Sequence, residues 1–357
     1  MIKYYAPIFC LLIGLMGNAQ SIKKQSIDTT FIESLLQAYP AYFQDILNHR
    51  DSFNVQIIYT QINRDKHNKP SFKEFQFNLH NDQYFYPAST VKMPIAFLAL
   101  EKLNELAIPG LTKSSIMVTD SVYPGQTIVY TQPNATASIP SIENYIKQIF
   151  LVSDNDAFNR LYEFLGQEYI QKKLTEKGYP DAIIRHRLNV YLSANQNRAT
   201  NPIYFYDTSG KIIYQQPGVF SEAAFQKRSI QLGKGYYKGA DLIQQPFDFS
   251  DKNSIYLQDQ HHILQSVYFP ESVTKKNRFY LTDSDQAFVQ QFMSAFPRES
   301  DDPFYDSANY RDAFCKFLLY GSKQGVLPKN IRIFNKVGDA YGFLTDIAYI
   351  VDLTHQV

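Results

Sequence analysis

The stretch Ser89-Thr90-Val91-Lys92-Met93-Pro94-Ile95-Ala96-Phe97-Leu98-Ala99-Leu100 decides the fold of this chain. From Val91 to Leu106 the run is largely apolar, free of Gly and too long for a strand, so it reads as a mostly buried helix. Ser89 and Lys92 stand at its start, three residues apart and therefore one turn apart on one helical face. The amine can approach the hydroxyl there, and the helix dipole with its unpaired N–H groups favours negative charge. A desolvated Lys in such a place has a lowered pKa and acts as base for Ser. Alone the pattern is weak, because Ser21/Lys24 and Ser272/Lys275 repeat it, although neither precedes an apolar helix.

Working outward, residues 31–49 read as helix interrupted near Pro40, and the alternation Phe53, Val55, Ile57, Tyr59 reads as a strand. A second alternating run through Phe75, Phe77 and Leu79 completes an antiparallel hairpin. Residues 141–178 hold two or three helices, broken around residues 152–155 and at Gly166. Between about Tyr204 and Tyr280 the texture turns rich in Tyr, Gln and Gly. That stretch is expected to be an irregular or hairpin insertion, read as solvated in preference to a glycan-binding face. Helical periodicity returns at Asp283–Phe296 and Asn309–Tyr320. Two strands, Ile331–Lys336 and Phe343–Leu353, then flank a turn containing Gly338 and Gly342. Strands, then helices, then strands predict an α+β protein whose first and last segments share one sheet.

Two further motifs stand downstream of Ser89. Ser153-Asp154-Asn155 falls at a break between helices, and Lys336-Val337-Gly338 precedes the strand-like run Gly342 to Ala348. A rival, Lys323-Gln324-Gly325, leads only into a Pro-containing loop. Each residue also has an ordinary reading: Ser153 and Asn155 as helix caps, Asp154 as a structural residue, Lys336 as a surface Lys at a strand end. Their joint order carries the functional one.

In that order, Ser89-x-x-Lys92, Ser153-Asp-Asn155 and Lys336-Val-Gly338, the chain resembles the serine β-lactamase and penicillin-binding-protein superfamily, most closely its class A β-lactamase branch. Tyr86-Pro87-Ala88 and the Thr345-Asp346-Ile347-Ala348 strand support the likeness, which covers roughly residues 30–352 except 204–280. The resemblance implies a β-lactamase/transpeptidase-like fold, an antiparallel sheet flanked by helices plus an all-helical subdomain, in a single catalytic domain 20–357. Its parts would be the helix and hairpin 30–80, the helical part 86–200, the insertion 204–280 and the closing segment 281–357. It further implies an acyl-enzyme on Ser89, with Lys92 as base and Ser153 relaying a proton to the leaving nitrogen. Lys336 would keep that proton mobile and attract a substrate carboxylate, while Asn155 holds the substrate's side-chain amide. The oxyanion hole would be the N–H groups of Ser89 and of Asp339, next to Gly338. The expected activity is hydrolysis of β-lactam amides, as in antibiotic catabolism. A peptidoglycan-peptide or ester hydrolase, or a slow-deacylating β-lactam sensor, are the alternatives.

Three departures stand out. The branch uses a Glu to activate the deacylating water, yet no Glu occurs between Glu176 and Glu222, where Leu188-Asn189 and Arg198 to Pro202 look family-like. Asp181 and Asp207 are the nearest acids, and His186 is the nearest other base. Val337 stands where the family has a hydroxyl residue. Finally, few residues follow Asp352, so either the chain is truncated before a last strand and helix, the favoured expectation, or the sheet is completed some other way.

Composition narrows the class. Lys+Arg 35 against Asp+Glu 34 excludes the basic surplus a nucleic-acid partner needs. Residues 1–19, MIKYYAPIFCLLIGLMGNA, carry Lys3, an apolar core and small residues at a cleavage position, the pattern of a secretory signal peptide. Its core is too short for the ~20 residues that span a bilayer. A periplasmic or secreted protein without a membrane span is expected. Loss of the leader removes Lys3 and Cys10, leaving Cys315 as one thiol with no disulfide partner, read as buried and structural. His261-His262 lacks further ligand spacing, so no metal and no cofactor are expected, and the partner is a small-molecule amide. Tyr 27, Phe 27 and Trp 0 suit a core, a carbohydrate surface or an aromatic pocket equally.

Overall fold

The computed structural model describes residues 27–123, 125–131, 139–321 and 325–354, so the leader pattern, Ser21/Lys24 and the rival Lys323 lie outside the described residues. Two compact units divide the chain after Leu79. In the first, α1 (Phe31–Gln37) and α2 (Pro40–Asn48) precede a hairpin of β1 (Ile57–Arg64) and β2 (Pro70–Phe77). Pro40 opens α2, where a missing N–H costs nothing. Ile32, Leu36 and Leu47 pack on Phe75 and Phe77. The strand starts at Ile57, later than the alternation suggests, because Asn54 turns the backbone at φ 49° and leaves Phe53 exposed.

The second unit is built around α3 (Lys92–Leu106), in which every residue from Lys92 to Glu101 is buried. A helix apolar on all sides requires neighbours on all sides. Here β3 (Ile116–Thr119), α4 (Ile142–Val152), α5 (Asn155–Leu165) and α6 (Gln167–Glu176) follow it, and Phe97, Ile149, Phe158, Phe164 and Ile170 meet in one core. The Ser193 capping box starts the short α7 (Ala194–Arg198). Next, β4 (Ile203–Tyr206) pairs with both β3 and β5 (Ile212–Gln216) in a three-stranded antiparallel sheet.

Of the expected irregular or hairpin insertion, the start is the β4–β5 hairpin, while buried β4 and the helix at the far end pack into the core. Ile203 and Phe205 are fully buried on β4, and α8 (Leu257–Tyr268) places Ile263, Leu264 and Val267 in the core. Only the middle is made of small ladders: β6 (Gln231–Leu232) pairs with β9 (Phe247–Asp248), enclosing β7 (Tyr236–Lys238) and β8 (Asp241–Ile243). After α9 (Asp283–Ser294), the helix expected over Asn309–Tyr320 is only a 3₁₀ turn, Asp312–Cys315. Long-range polar bonds hold that segment instead. Arg298 grips Asp312 through Nε at 2.8 Å and Nη2 at 3.1 Å, and Lys316 turns inward to the Met293 carbonyl at 2.9 Å and Asn335 Oδ1 at 2.8 Å. Cys315 is buried, as read, and burial pushes its thiol pKa up.

The last hairpin, β10 (Ile331–Ala340) with β11 (Phe343–Asp352), pairs over ten residues around Tyr341-Gly342. Gly338 lies within β10, not in the turn. Among the described residues β1–β2 and β10–β11 are separate two-stranded ladders, where one shared sheet was expected. The α+β character stands, and no helix among the described residues is long and apolar enough to cross a membrane.

Candidate active site

Two residues with positive φ shape the site. Ala88, at φ 46° and 2 % exposed, kinks the chain into the 3₁₀ turn Ala88–Val91 that carries Ser89 into α3. Ser153 closes α4 at φ 58°, a left-handed conformation costing about 1–2 kcal/mol for a residue with a Cβ. Asp154, not Ser153 or Asn155, caps α5, accepting from Ala157 N at 2.8 Å. With the cap supplied by its neighbour, the Ser153 hydroxyl is available for other work.

That hydroxyl stands between two buried lysine amino groups. Lys92 Nζ is 2.9 Å from Ser89 Oγ, 3.2 Å from Ser153 Oγ and 2.8 Å from Asn155 Oδ1, and it also donates to the Ser153 carbonyl. From the other side Lys336 Nζ donates to Ser153 Oγ at 2.8 Å and to the Val337 carbonyl at 2.9 Å. No carboxylate pairs with either amine within 4 Å among the described residues. Burial, then the nearby Lys336 charge, hold the Lys92 pKa well below its ordinary value. Burial alone brings Lys336 down to about 8, against the opposing pull of Cys315 and Asp346. Neutral Lys92 has two N–H donors and one lone pair. The Ser153 carbonyl and Asn155 Oδ1 can only accept, so they take the donors and leave the lone pair for a hydroxyl proton.

Strand β10 approaches Ser89 closely because residue 338 has no side chain. A Cβ on Gly338 would lie 2.7 Å from the Pro87 carbonyl oxygen and 3.0 Å from Ser89 N. Asp339, the next residue, lines the same cavity of about 590 Å³ as Ser89 and Asn155. Ser89, Lys92, Ser153, Asn155, Lys336, Gly338 and Asp339 are thus brought to one place.

The opposite wall is the loop from Arg185 to Asn197, held by buried side chains. Asn159 on α5 both donates to and accepts from Leu188, at 2.9 and 2.8 Å. Arg187 Nε donates to Glu163 Oε1 at 2.8 Å, and Arg160 Nη1 meets Glu163 Oε2 at 3.0 Å. Asn253 Oδ1 accepts from the N–H of Arg185 at 2.8 Å and of His186 at 3.2 Å. The acids nearest in sequence, Asp181 and Asp207, are not on this wall. The carboxylates that are there are Asp251, which Arg185 holds at 2.9 Å, and the exposed Asp339. His186 is there too. Its Nδ1 lies 2.7 Å from the Arg187 carbonyl and must carry the proton, so the unpartnered Nε2 presents a lone pair. Burial lowers its pKa to about 4, which keeps the ring neutral at pH 7.

Arg185, Asp251, Lys252 and Tyr341 also line the cavity and were not anticipated from sequence. No local motif marks them. Asp251 and Lys252 arrive from within the insertion, between β9 and α8, carried there by an isolated bridge between Ile183 and Ser254.

Comparison with known proteins shows the family of this chain. The family model described as the beta-lactamase enzyme family matches residues 41–356. Among solved structures, a beta-lactamase from Sphaerobacter thermophilus is similar at 11% identity, covering 91% of this chain and 84% of its own, with a TM-score of 0.42. A class A beta-lactamase from Clostridium kluyveri is 13% identical over 87% of this chain and 84% of its own, with a TM-score of 0.40. A beta-lactamase from Chitinophaga pinensis is 10% identical over 85% of both chains, also at a TM-score of 0.40. No match was found among curated proteins.

Proposed function

The chain belongs to the beta-lactamase enzyme family, and we propose that it is an exported serine hydrolase that opens β-lactam amides through an acyl-enzyme on Ser89. The observation that carries this reading is the placement of Lys92 Nζ within 2.9 Å of Ser89 Oγ and 3.2 Å of Ser153 Oγ, with Lys336 beyond Ser153. Neutral Lys92 takes the Ser89 proton as Oγ bonds to the lactam carbonyl carbon. The carbonyl oxygen becomes an oxyanion that the N–H groups of Ser89 and Asp339 receive. Such a donor typically contributes ~10²–10³ in rate. As the C–N bond breaks, Ser153 gives its proton to the nitrogen and is reprotonated from the Lys92–Lys336 side. Asn155 holds the amide of the acyl side chain. Water then cleaves the ester and frees Ser89.

A second reading, a slow-deacylating β-lactam binder, is favoured by one observation. Of the carboxylates on the cavity wall, one is occupied by Arg185 and the other is open to solvent. The bases that remain for a deacylating water are His186 Nε2 and Lys92 itself. Intact mass over time, with a labelled penicillin and a chromogenic cephalosporin, separates the readings. A Ser89 adduct that turns over supports the hydrolase, and a persistent adduct lost in Ser89→Ala supports trapping. Neither adduct nor turnover refutes both.

A further inference from the structure

The cavity beside Ser89 runs in one direction. Its wall includes Asn155 and the segment Asp339–Tyr341 but neither Ser153 nor Lys336. In the proposed reaction the leaving nitrogen faces Ser153 and the side-chain amide faces Asn155. This volume therefore receives the acyl half of the substrate, the part that remains on Ser89.

Most charges on its wall are already matched. Arg185 pairs with Asp251 at 2.9 Å, and Arg187 with Glu163 at 2.8 Å. Lys252 differs. Its ammonium makes no ion pair and no side-chain hydrogen bond among the described residues, and it is partly shielded from water. Asp248, the other acid near it, accepts instead from the Ser250 N–H at 2.8 Å, and Asp339 is exposed without an ion pair to Lys252. Two rings set the position of the ammonium, with Nζ 5.5 Å from the centroids of both Phe247 and Tyr341. Those rings are stacked at 4.9 Å and 24°, and Tyr341 packs in turn edge-on against Tyr86, three residues from the nucleophile. Burial lowers the Lys252 pKa against the opposing pull of Asp248 and Asp251, neither of which forms an ion pair with it.

From this arrangement we infer that Lys252, mounted by the insertion on the Phe247–Tyr341 platform, is an anion-binding residue for the acyl half of the substrate, so that the preferred substrates carry a carboxylate there. The inference rests on the acyl-serine reading above. Lys252 does for the acyl side chain what no other unmatched cation on this wall can do: it supplies a charge-assisted hydrogen bond in a partly dry site. The flanking rings accept the apolar part of the same group. Val337, by contrast, offers no hydroxyl on β10 for a carboxylate on the leaving side.

The test uses two probes, benzylpenicillin and its analogue bearing a carboxylate on the side-chain α-carbon. Rate constants for Ser89 acylation are measured on the full chain by intact mass, and their ratio is the readout. Because both come from one sample, any loss of folded protein in a variant cancels. The wild type is expected to acylate faster with the carboxylated penicillin. Lys252→Met should lower that ratio by about 10- to 100-fold, the usual worth of one charge-assisted hydrogen bond. Lys252→Arg should keep the preference, and Lys252→Glu should reverse it. A ratio unchanged in Lys252→Met, or a wild type that favours benzylpenicillin, overturns the inference and leaves the acyl-serine reading intact. No Ser89 adduct with either probe overturns both.

Discussion

Replacing Gly338 by Ala tests whether the approach of β10 to Ser89 builds the oxyanion hole. The new Cβ would meet the Pro87 carbonyl oxygen at 2.7 Å, Ser89 N at 3.0 Å and Thr345 Cγ2 at 3.0 Å. Two of these three atoms are backbone, and the Pro87 oxygen is itself fixed, accepting from Thr90 N at 3.0 Å and Thr90 Oγ1 at 2.6 Å. It cannot swing aside, so β10 must retreat by about half an ångström to reach ordinary contact. Oxyanion donors work within a window of about 2.7–3.1 Å, and a retreat of that size takes the Asp339 N–H out of it. The expected loss is one donor, ~10²–10³ in acylation rate, together with ~1–3 kcal/mol of stability from overpacking. Acylation is followed by intact mass with a labelled penicillin, and stability by urea unfolding. Gly210→Ala is the control. It sits at φ 81° in the β4–β5 turn with nothing within 4 Å, so it should lose about 1 kcal/mol and no acylation rate. A Gly338→Ala protein that is destabilised yet acylates within threefold of wild type would refute the reasoning, because the strand would then yield without moving the hole.

Two further outcomes follow from the buried charges. Glu163→Gln leaves Arg160 and Arg187 without their shared carboxylate in the interior, which typically costs ~3–5 kcal/mol and here corresponds to a fall in Tm on the order of 10 °C. Scanning calorimetry checks it, and a shift under 2 °C would mean that the Arg187 loop is held by its backbone bonds alone. Burial also depresses Lys102, Lys316 and Lys336, each to about 8, and Lys92 in the same direction. In the unfolded chain these amines keep their protons up to about pH 10. Between pH 8 and 10 the unfolded state therefore binds more protons, so stability rises with pH across that window. The urea midpoint should be higher at pH 9.5 than at pH 7.5, and a lower one would show that the ammonium groups are compensated in the fold.

How much was legible depends on how locally each feature is encoded. The Ser89–Lys92 pair was readable because one helical turn fixes its geometry, and the all-apolar α3 announced its own burial. Ser153 and Lys336 were readable only as members of an ordered set. Nothing local indicates that Ser153 would take a left-handed backbone while Asp154 supplies the cap. The segment 309–320 misled for the opposite reason. Its apolar spacing is helical, but Lys316 and Asp312 are committed to Asn335, Met293 and Arg298, and those bonds outweigh local propensity. In the insertion, α8 was hidden by its Gln and His content, although its apolar residues face the core.

The part of the site that reads least well from sequence is the part proposed to distinguish substrates. Attack on a carbonyl needs a neutral amine beside a hydroxyl, and burial around α3 pushes the Lys92 pKa down in that direction with no help from the insertion. Burying Lys92 and Lys336 has a consequence: a cation that loses its charge near pH 8, and is spent on Ser153 and Val337, is a poor anchor for a distant anion. In the proposed reaction, recognition of charge on the acyl half falls to the rim, where a half-buried ammonium keeps part of its hydration. Lys252, held over two rings and without an ion pair among the described residues, is the group proposed for it. It lines the cavity beside Ser89 because Ser254 bridges to Ile183 and Asn253 clasps the backbone of Arg185 and His186. Those contacts join segments far apart in the chain, and no periodicity or motif records them. The Ser89–Lys92 pair is written in one helical turn, whereas the proposed selectivity rests on a fold-dependent encounter between a loop and an insertion.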